Sequence, residues 1–154
     1  MRFLVCLELG CNFKTRTDVE RMIRDAARLG ADCVKFQYFS AEEIELAERR
    51  NPRTRYTEEI FDVIRCTELG LGELSSIKSF CDRTGVEFMA TPFMTAERVR
   101  QIDPLVKRHK IREKDSKNEE MVTAALDTGK PVYLSTTRRP GLDEGEGEHF
   151  RLGW

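Results

Sequence analysis

The stretch DCVKFQYF (residues 32–39) has the composition of a buried β-strand, yet it contains Lys35 and Gln37. Side chains alternate between the two faces of a strand, so these two polar residues share one face with Cys33. The opposite face carries apolar and aromatic side chains such as Phe36, and helices are expected to cover it. Lys35 and Gln37 are therefore predicted to point away from the helices, at the carboxyl end of the strand.

This stretch belongs to a pattern that occurs three times. LGADCVKF (29–36), TGVEFMAT (84–91) and TGKPVYLS (128–135) each follow a helical pattern, turn at a glycine and continue as a mainly apolar run. Strands are predicted near 3–8, 32–37, 86–91, 106–111 and 131–135. At least one helix separates each strand from the next, so the strands are expected to be parallel, with right-handed crossovers. The sequence therefore predicts the α/β class.

Capping residues mark the helix boundaries. Thr17 and Glu20 have the spacing of a capping box, and Gly30 is predicted to end that helix in a left-handed turn. Ser116 and Glu119 repeat the capping pattern. Other helices are predicted over 57–69, 73–84 and 95–103, and a basic loop over 49–56.

The periodicity is lost near the C-terminal end. Residues 138–154 (RRPGLDEGEGEHFRLGW) mix glycine, acidic residues and a final tryptophan, and are predicted to form an irregular tail. Residues 1–137 are predicted to form one domain, because a chain of 154 residues with 40% hydrophobic content can bury a single core.

Composition argues against several classes of partner. The 26 Lys and Arg residues nearly balance the 27 Asp and Glu residues, so no net charge attracts nucleic acid or an anionic membrane. The five cysteines include no C-x-x-C pair, which disfavours a disulfide framework and a zinc knuckle. No apolar run reaches the ~18 residues of a membrane span, and Glu8 interrupts the first run too early for a signal peptide. A cytoplasmic, reducing location is expected.

Polar side chains stand at the carboxyl end of every predicted strand. In parallel α/β folds, ligands bind at this edge of the sheet. Two lysines, two hydroxyls, an amide and a carboxylate suit a small anionic ligand rich in oxygen, such as a phosphate or a carboxylate. The residues concerned are Glu8, Lys35, Gln37, Thr91, Lys110 and Ser135.

Structural explanations for these residues stay open as well. Lys35 can simply pair with Glu8 inside the sheet, because a buried ammonium needs a partner or loses its proton. Thr91 can mark no more than a strand end before a proline. His109, next to a lysine, is expected at the surface. Cys11 is assigned no role, because no activating base is marked near it.

Five motifs follow one another at the predicted strand ends: LELGCNF (7–13), VKFQYF (34–39), EFMATPF (87–93), KIREKD (110–115) and GKPVYLST (129–136). Together they resemble the N-acetylneuraminate (sialic acid) synthase family. Their order and approximate spacing match the first five βα units of that family, and VKFQ, TPF and GKP-x-x-LST in succession are the most specific. The resemblance covers roughly residues 3 to 137.

The resemblance implies a fold and an activity. The fold would be a partial TIM-type (β/α) barrel, with about five parallel strands and helices on its outer face. The activity would be that of a transferase of carbohydrate biosynthesis, which condenses phosphoenolpyruvate with N-acetylmannosamine or a similar N-acyl amino sugar. A divalent metal ion, Mn or Mg, would assist the reaction, and its ligands are absent from this chain.

Residue roles carry over by position. Glu8 matches the acidic residue at the family's reacting centre and is the implied catalytic residue, since a carboxylate can move a proton or stabilise developing positive charge. The implied phosphoenolpyruvate contacts are Lys35, Thr91, Lys110 and Ser135, and the implied sugar contacts are Gln37 and Asp115.

The chain departs from the family pattern in places. The family's histidine and glycine do not follow Asn12, Thr137 replaces a glycine, and Glu113 aligns with a serine that touches phosphate. A carboxylate about 4 Å from a phosphate is opposed by about 4 kcal/mol per charge pair at an effective dielectric of about 20. A lost neutral hydrogen bond costs only about 1 kcal/mol. Repulsion therefore wins unless Arg112 or Lys114 compensates.

Five strands cannot close an eight-stranded barrel, so the first and fifth strands are expected to have unpaired edges. We expect a second copy in a homo-oligomer, another partner or the rest of a longer protein to cover these edges, unless the chain has settled into an open sheet. Two other functions stay open. One is a non-catalytic phosphate- or sugar-binding or assembly module derived from the same fold, and the other is an aldolase-like barrel fragment that uses Lys35 as a Schiff base.

Overall fold

The computed structural model describes residues 3–135, so the predicted tail at 138–154 lies outside the described residues. In chain order the elements are β1 (Cys6–Glu8), α1 (Arg16–Arg28), β2 (Cys33–Tyr38), α2 (Ala41–Arg49), α3 (Glu58–Cys66), α4 (Leu71–Thr84), β3 (Glu87–Pro92), α5 (Ala96–Ile102), β4 (His109–Ile111), α6 (Glu119–Leu126) and β5 (Val132–Leu134). Short 3₁₀ helices, Asp103–Leu105 and Glu113–Asp115, stand before and after β4. Within residues 3–135, none of the helices has both the length and the apolar character needed to cross a bilayer.

The five described strands form two small sheets. One has the order β1-β2-β3, and the other pairs β4 with β5. The β1–β2 and β4–β5 pairs are parallel. The α/β class and the parallel pairing are thus confirmed for these strands, whereas a continuous partial barrel stays a prediction. The chain divides into two compact units between Phe88 and Met89, and each unit is described by itself.

In the first unit, aromatic packing fixes the helix-facing side of β2. Val34 and Phe36 are fully buried. The Phe36 ring lies 6.3 Å from the Phe13 ring and 6.1 Å from the Phe88 ring, measured between centroids. Apolar and aromatic contacts of this kind supply most of the stability of a small core. The predicted division of β2 into an apolar and a polar face is confirmed on the apolar side.

In the second unit, a separate core joins α5, α6, β4 and β5. Val99, Ile111 and Met121 are completely buried there, and Val132 is nearly so. Because Ile111 and Val132 lie on neighbouring strands, the sheet presents one apolar side to both helices. This packing sets the direction of the alternate residues of β4 and β5, which include Lys110.

Helix α1 begins with a capping box two residues earlier than predicted. The Thr15 hydroxyl accepts a hydrogen bond from the Asp18 N–H at 3.2 Å, and the Asp18 carboxylate accepts one from the Thr15 N–H at 3.0 Å. The expected pair, Thr17 and Glu20, was wrong although it has the same spacing. Gly30 has a φ of +81°, so the predicted left-handed turn at the end of the helix is confirmed.

Helix α2 was not predicted, and it replaces the start of the basic loop expected at 49–56. Ser40 caps it, with its side chain accepting a backbone N–H of the first turn. Glu48 is buried, and its carboxylate accepts a hydrogen bond of 2.8 Å from the Thr54 hydroxyl. The loop therefore begins only after α2 and is tied back to it by this bond.

Candidate functional site

The carboxyl ends of β1 and β2 bring Glu8 and Lys35 together. The two residues are in-register partners, so their side chains lie on the same face of the sheet. The Lys35 ammonium forms an ion pair with the Glu8 carboxylate, with the Lys35 side chain 15% exposed and that of Glu8 45% exposed. The pairing considered from the sequence is therefore present. It places a carboxylate that water can reach beside a largely buried lysine.

Gln37 joins this pair at the turn that follows β1. The N–H groups of Leu9 and Gly10 both point to the Lys35 carbonyl, at 2.9 Å and 3.3 Å. Gly10 has a φ of +43°, and a Cβ there would lie 3.0 Å from Glu8 Oε1 and 3.3 Å from Gln37 Nε2. The backbone thus approaches both side chains closely because Gly10 has no Cβ. Gly10 is a site residue that the sequence analysis missed, although its place two residues after the end of β1 was a signal.

Cys11 supports the amide of Gln37. Its thiol donates a hydrogen bond of 3.5 Å to Gln37 Oε1. Burial raises the pKa of the Cys11 thiol, which outweighs the opposing effect of a hydrogen bond with Thr67. A raised pKa makes a thiol a weaker nucleophile, and the role that the structure shows for Cys11 is its hydrogen bond to the Gln37 amide.

Lys110 and Ser135 meet at the carboxyl ends of β4 and β5. The Lys110 Nζ donates to the Ser135 hydroxyl at 2.5 Å and to the Ile111 carbonyl at 2.8 Å. The Ser135 N–H in turn donates to the Ile111 carbonyl at 3.0 Å, which continues the ladder beyond β5. The second unit therefore offers an ammonium and a hydroxyl side by side, the donors expected to hold a phosphate or carboxylate oxygen.

Thr91 is the fifth residue of β3 and is almost completely buried, at 3% exposure. Both explanations considered from the sequence, a ligand contact and a strand end before Pro92, are compatible with that position. Its proposed contact with phosphoenolpyruvate stays a prediction.

Asp115, predicted near the sugar, holds the loop that follows β3. Its carboxylate accepts hydrogen bonds from Arg112 Nε at 2.5 Å and from the Met94 N–H at 3.2 Å. Met94 has a φ of +69°. This left-handed conformation is energetically unfavourable for any residue that has a side chain. Asn118 holds the same residue from the other side, by donating to the Met94 carbonyl at 3.1 Å. The Arg112 guanidinium lies over the Phe93 ring, 3.7 Å from its centroid. Asp115 is thus occupied by protein contacts.

His109 was expected at the surface, and that prediction was wrong. The residue is completely buried because it alternates with Lys110 on β4 and shares the buried side with Ile111. Its Nε2 lies 2.9 Å from Asp103 Oδ1, and Lys130 Nζ lies 2.7 Å from the same oxygen. An ionised carboxylate only accepts, so the His109 proton lies on Nε2.

Burial sets the protonation of this histidine. His109 Nδ1 is buried and has no hydrogen-bond partner within the described part of the chain. Desolvation lowers the pKa of His109, against the hydrogen bond to Asp103 that acts to raise it. Partial burial acts to raise the pKa of Asp103, but the hydrogen bonds from Lys130 and His109 outweigh it and hold that pKa below its ordinary value. His109 is therefore a neutral core residue.

The described residues do not suit a divalent metal ion. Over residues 3–135, no group of three or more His, Cys, Asp and Glu side chains is placed to hold one. Glu113, which the sequence resemblance sets at the position of a serine expected to touch phosphate, begins the 3₁₀ helix after β4. Arg112, one of the two residues considered as compensation for its charge, is paired with Asp115.

The chain is similar to known proteins in sequence and in fold. Residues 22–139 match the sequence profile of the NeuB family. The crystal structure of the N-acetylneuraminic acid (sialic acid) synthetase from Leptospira borgpetersenii, in complex with citrate, is similar with a TM-score of 0.74 and 26% identity. That match covers 91% of this chain and 47% of the synthetase chain.

Two further proteins are similar over most of the chain. The spore coat polysaccharide biosynthesis protein spsE of Bacillus subtilis has a TM-score of 0.65 at 21% identity, over 86% of this chain and 36% of its own, and supports the fold alone. An uncharacterized protein of Methanocaldococcus jannaschii is 26% identical over 137 residues, which are 86% of this chain and 37% of that protein. The chain thus spans less than half the length of these relatives.

Proposed function

Because the chain belongs to the NeuB family, we propose that it carries phosphoenolpyruvate-binding residues of a sialic acid synthase-like enzyme. The reaction would condense phosphoenolpyruvate with an N-acyl amino sugar such as N-acetylmannosamine. The observation that carries the proposal is the grouping of polar side chains at strand ends within each unit. The first unit contains the group Glu8, Lys35 and Gln37. The second unit contains the pair Lys110 and Ser135.

Lys35 in the first unit and Lys110 in the second are each proposed as an anchor for an anionic group. Phosphoenolpyruvate carries a phosphate and a carboxylate, both of which accept hydrogen bonds from an ammonium. A hydrogen bond to a charged group contributes about 1.5–3 kcal/mol. The Glu8 carboxylate that now pairs with Lys35 is about half exposed, so solvent already reaches this ion pair. A ligand oxygen can therefore compete for the Lys35 ammonium, and Ser135 would add a hydroxyl to the Lys110 contact.

Glu8 is the proposed catalytic carboxylate. Its side chain is about half exposed and is held against Lys35 and beside Gly10, so its position is fixed while a substrate can still reach it. A carboxylate in such a place can move a proton or stabilise positive charge that develops during carbon–carbon bond formation. Gln37 and Asp115 remain the proposed sugar contacts, and Thr91 a proposed phosphate contact.

The proposed architecture is the N-terminal part of a (β/α) barrel. The parallel strands, the intervening helices and the similarity to the Leptospira synthetase support it. Enzymes of the NeuB family are generally metal-dependent. Residues 3–135 contain no cluster of side chains that could hold a divalent ion, so its ligands would have to come from elsewhere. A second copy of the chain or another partner that covers the outer strand edges also remains part of the proposal.

Release of inorganic phosphate tests the activity. The full chain is incubated with phosphoenolpyruvate, manganese and N-acetylmannosamine, and phosphate is measured over time. In an assembled form that supplies the rest of the barrel, we expect release with the wild type, none with Lys35→Ala, and wild-type release with the matched control Lys78→Ala, whose ammonium pairs with Asp82 on the exposed side of α4. Equal release in wild type and Lys35→Ala would overturn the proposal.

A second candidate is a non-catalytic phosphate- or sugar-binding module of the same fold. The carboxylate of Glu113, at the position of the family's phosphate-contacting serine, favours it. Binding of phosphoenolpyruvate without any phosphate release would support this module over the enzyme. Trapping of a carbonyl substrate on Lys35 by borohydride would instead support a Schiff-base aldolase.

A further inference from the structure

Cys6 and Cys33 are in-register partners on the parallel strands β1 and β2. Residues paired in this way point to the same face of the sheet, and adjacent strands lie about 4.8 Å apart. Disulfides form between residues whose Cα atoms are about 4.4–6.8 Å apart. The register therefore brings the two cysteines within the range that a disulfide requires, without any rearrangement of the strands.

The two thiols already interact. Cys6 is exposed and Cys33 is completely buried. The Cys33 thiol donates a hydrogen bond to the Cys6 sulfur, and this bond is the main reason that the pKa of Cys6 lies below its ordinary value. The positive charge of Lys35, two residues further along the same face, acts in the same direction, whereas desolvation and the charges of Glu8 and Glu87 oppose it. A thiolate is the nucleophilic form of cysteine, so Cys6 is the exposed partner that can react first.

The other three cysteines differ in ways that provide controls. Cys11 donates to Gln37 and burial raises its pKa. Burial of Cys81 raises its pKa to about 12. Cys66 is exposed like Cys6, but it lies on helix α3 rather than beside a cysteine on a neighbouring strand. If exposure alone decided reactivity, Cys66 would be as sensitive to an oxidant as Cys6. Because Cys6 has a second thiol beside it, only Cys6 should form a disulfide.

We propose that Cys6 and Cys33 form a dithiol that a hydroperoxide converts to a reversible disulfide. The Cys6 thiolate attacks the hydroperoxide, forming an S–O bond as the O–O bond breaks, and yields a sulfenic acid and, after protonation, water or an alcohol. The Cys33 thiol then attacks the sulfenic sulfur, forming the S–S bond as the S–O bond breaks, and water leaves. Two electrons pass from the thiols to the peroxide, and two protons end in the released products.

The position of this dithiol couples it to the candidate site. Glu8 and Lys35 are the next residues on the same face of the same two strands. A disulfide between Cys6 and Cys33 would tie β1 to β2 directly beside the Glu8–Lys35 ion pair. The dithiol itself does not rest on the proposed function, since its formation is a covalent event that can be followed without any substrate.

Peptide mapping of the full chain tests the dithiol. The folded protein is treated with hydrogen peroxide, alkylated, digested and analysed by mass spectrometry. We expect the loss of two alkylatable thiols and a cross-linked pair of peptides that contain Cys6 and Cys33, both reversed by dithiothreitol. The control Cys66→Ser should form the same cross-link. Cys6→Ser should form none, and because Cys6 is exposed this variant is expected to keep the fold.

Cys33→Ser separates the two steps. Without the resolving thiol, Cys6 should accumulate as a sulfenic acid, which dimedone traps as an adduct. Circular dichroism checks that this buried substitution leaves the protein folded, and Cys6→Ser tests the cross-link independently if it does not. Three results would overturn the proposal: oxidation of Cys6 to sulfinic or sulfonic acid in the wild type with Cys33 still alkylatable, a cross-link that involves another cysteine, or no change in the five thiols.

Discussion

Glu8 and Lys35 occupy the same register position on neighbouring parallel strands, and their side chains form an ion pair. This relationship explains why a lysine interrupts an otherwise apolar strand. The alternation of β2 buries Phe36 on one side and leaves Lys35 on the other, where its charge meets the carboxylate of β1. The pair stabilises the lysine in the absence of a ligand and leaves the carboxylate open to solvent.

Gly10→Ala is expected to disturb both stability and the site. A side chain in the left-handed region costs about 1–2 kcal/mol, and the new Cβ would press against the Glu8 carboxylate at 3.0 Å. We expect the free energy of unfolding to fall by that amount in urea denaturation. Because Glu8 and Gln37 must move, the affinity for phosphoenolpyruvate should also fall, by about tenfold.

Gly30→Ala is the matched control for this substitution. Gly30 also has a positive φ, of +81°, but nothing lies within 4 Å of the position of its Cβ. It should lose a similar amount of stability while phosphoenolpyruvate binding stays unchanged. Equal loss of binding in both variants would mean that Gly10 acts only through stability and does not position the site.

Asp115→Ala is expected to destabilise the second unit by about 3 kcal/mol, because it leaves a largely buried guanidinium and the Met94 N–H without their acceptor. Asp25→Ala removes a carboxylate from an ion pair of the same i, i+3 spacing with Arg28, but that pair is exposed. It should leave the stability nearly unchanged. Urea denaturation of the two variants measures the difference, and similar losses would contradict the holding role of Asp115.

The buried histidine predicts a decline of stability at mildly acid pH. Desolvation lowers the pKa of His109 in the folded protein, so between that pKa and the unfolded value of 6.5 the unfolded chain binds more protons. Stability is therefore complete above about pH 6.5 and decreases as the pH falls through that value towards the folded pKa. Asp103, whose pKa is lowered from 3.8, loses its contribution only at more acid pH.

Denaturation at a series of pH values checks this decline, with His109→Gln as the comparison. The variant is expected to be less stable at neutral pH, because a different side chain must fill the buried position, but its stability should change less between pH 6.5 and the folded pKa. If the free energy of unfolding of the variant changed with pH as steeply as that of the wild type, a group other than His109 would cause the decline.

The strands could be predicted because their signals are local and repeated. A glycine turn followed by an apolar run predicted β2, β3 and β5 close to their observed bounds, and the alternation within β2 predicted which side is buried. The polar strand ends predicted Glu8 beside Lys35, because parallel strands align their carboxyl ends. Lys110 and Ser135 meet for the same reason.

The misses have physical causes that a local pattern does not contain. Thr15 and Thr17 each precede an acidic residue at the spacing of a capping box, so the local pattern alone does not show which of them begins the helix. Likewise Asn118, rather than Ser116, caps α6. The burial of His109 depends on the side of β4 that faces the helices. That direction follows from the packing of distant residues rather than from the neighbouring lysine.

Helix α2 and Gly10 were missed for a different reason, since both carried local signals. Ser40 with Glu43 has the spacing of a helix start, and Ile44 lies on its buried face. No element was predicted for residues 40–48, and only the basic loop over 49–56 that follows them was predicted. For Gly10 the local signal was only its place near the end of β1, since its close approach to Glu8 and Gln37 also requires the positive φ and the register of β1 with β2.

Calorimetric titration of phosphoenolpyruvate into the full chain tests most directly whether Lys35 belongs to a ligand site. We expect the wild type to bind and Lys78→Ala to bind with the same dissociation constant. Lys35→Ala should bind about ten- to a hundredfold more weakly, because it loses one charge-assisted hydrogen bond. Equal dissociation constants for wild type and Lys35→Ala would contradict the assignment of Lys35 to the phosphoenolpyruvate site.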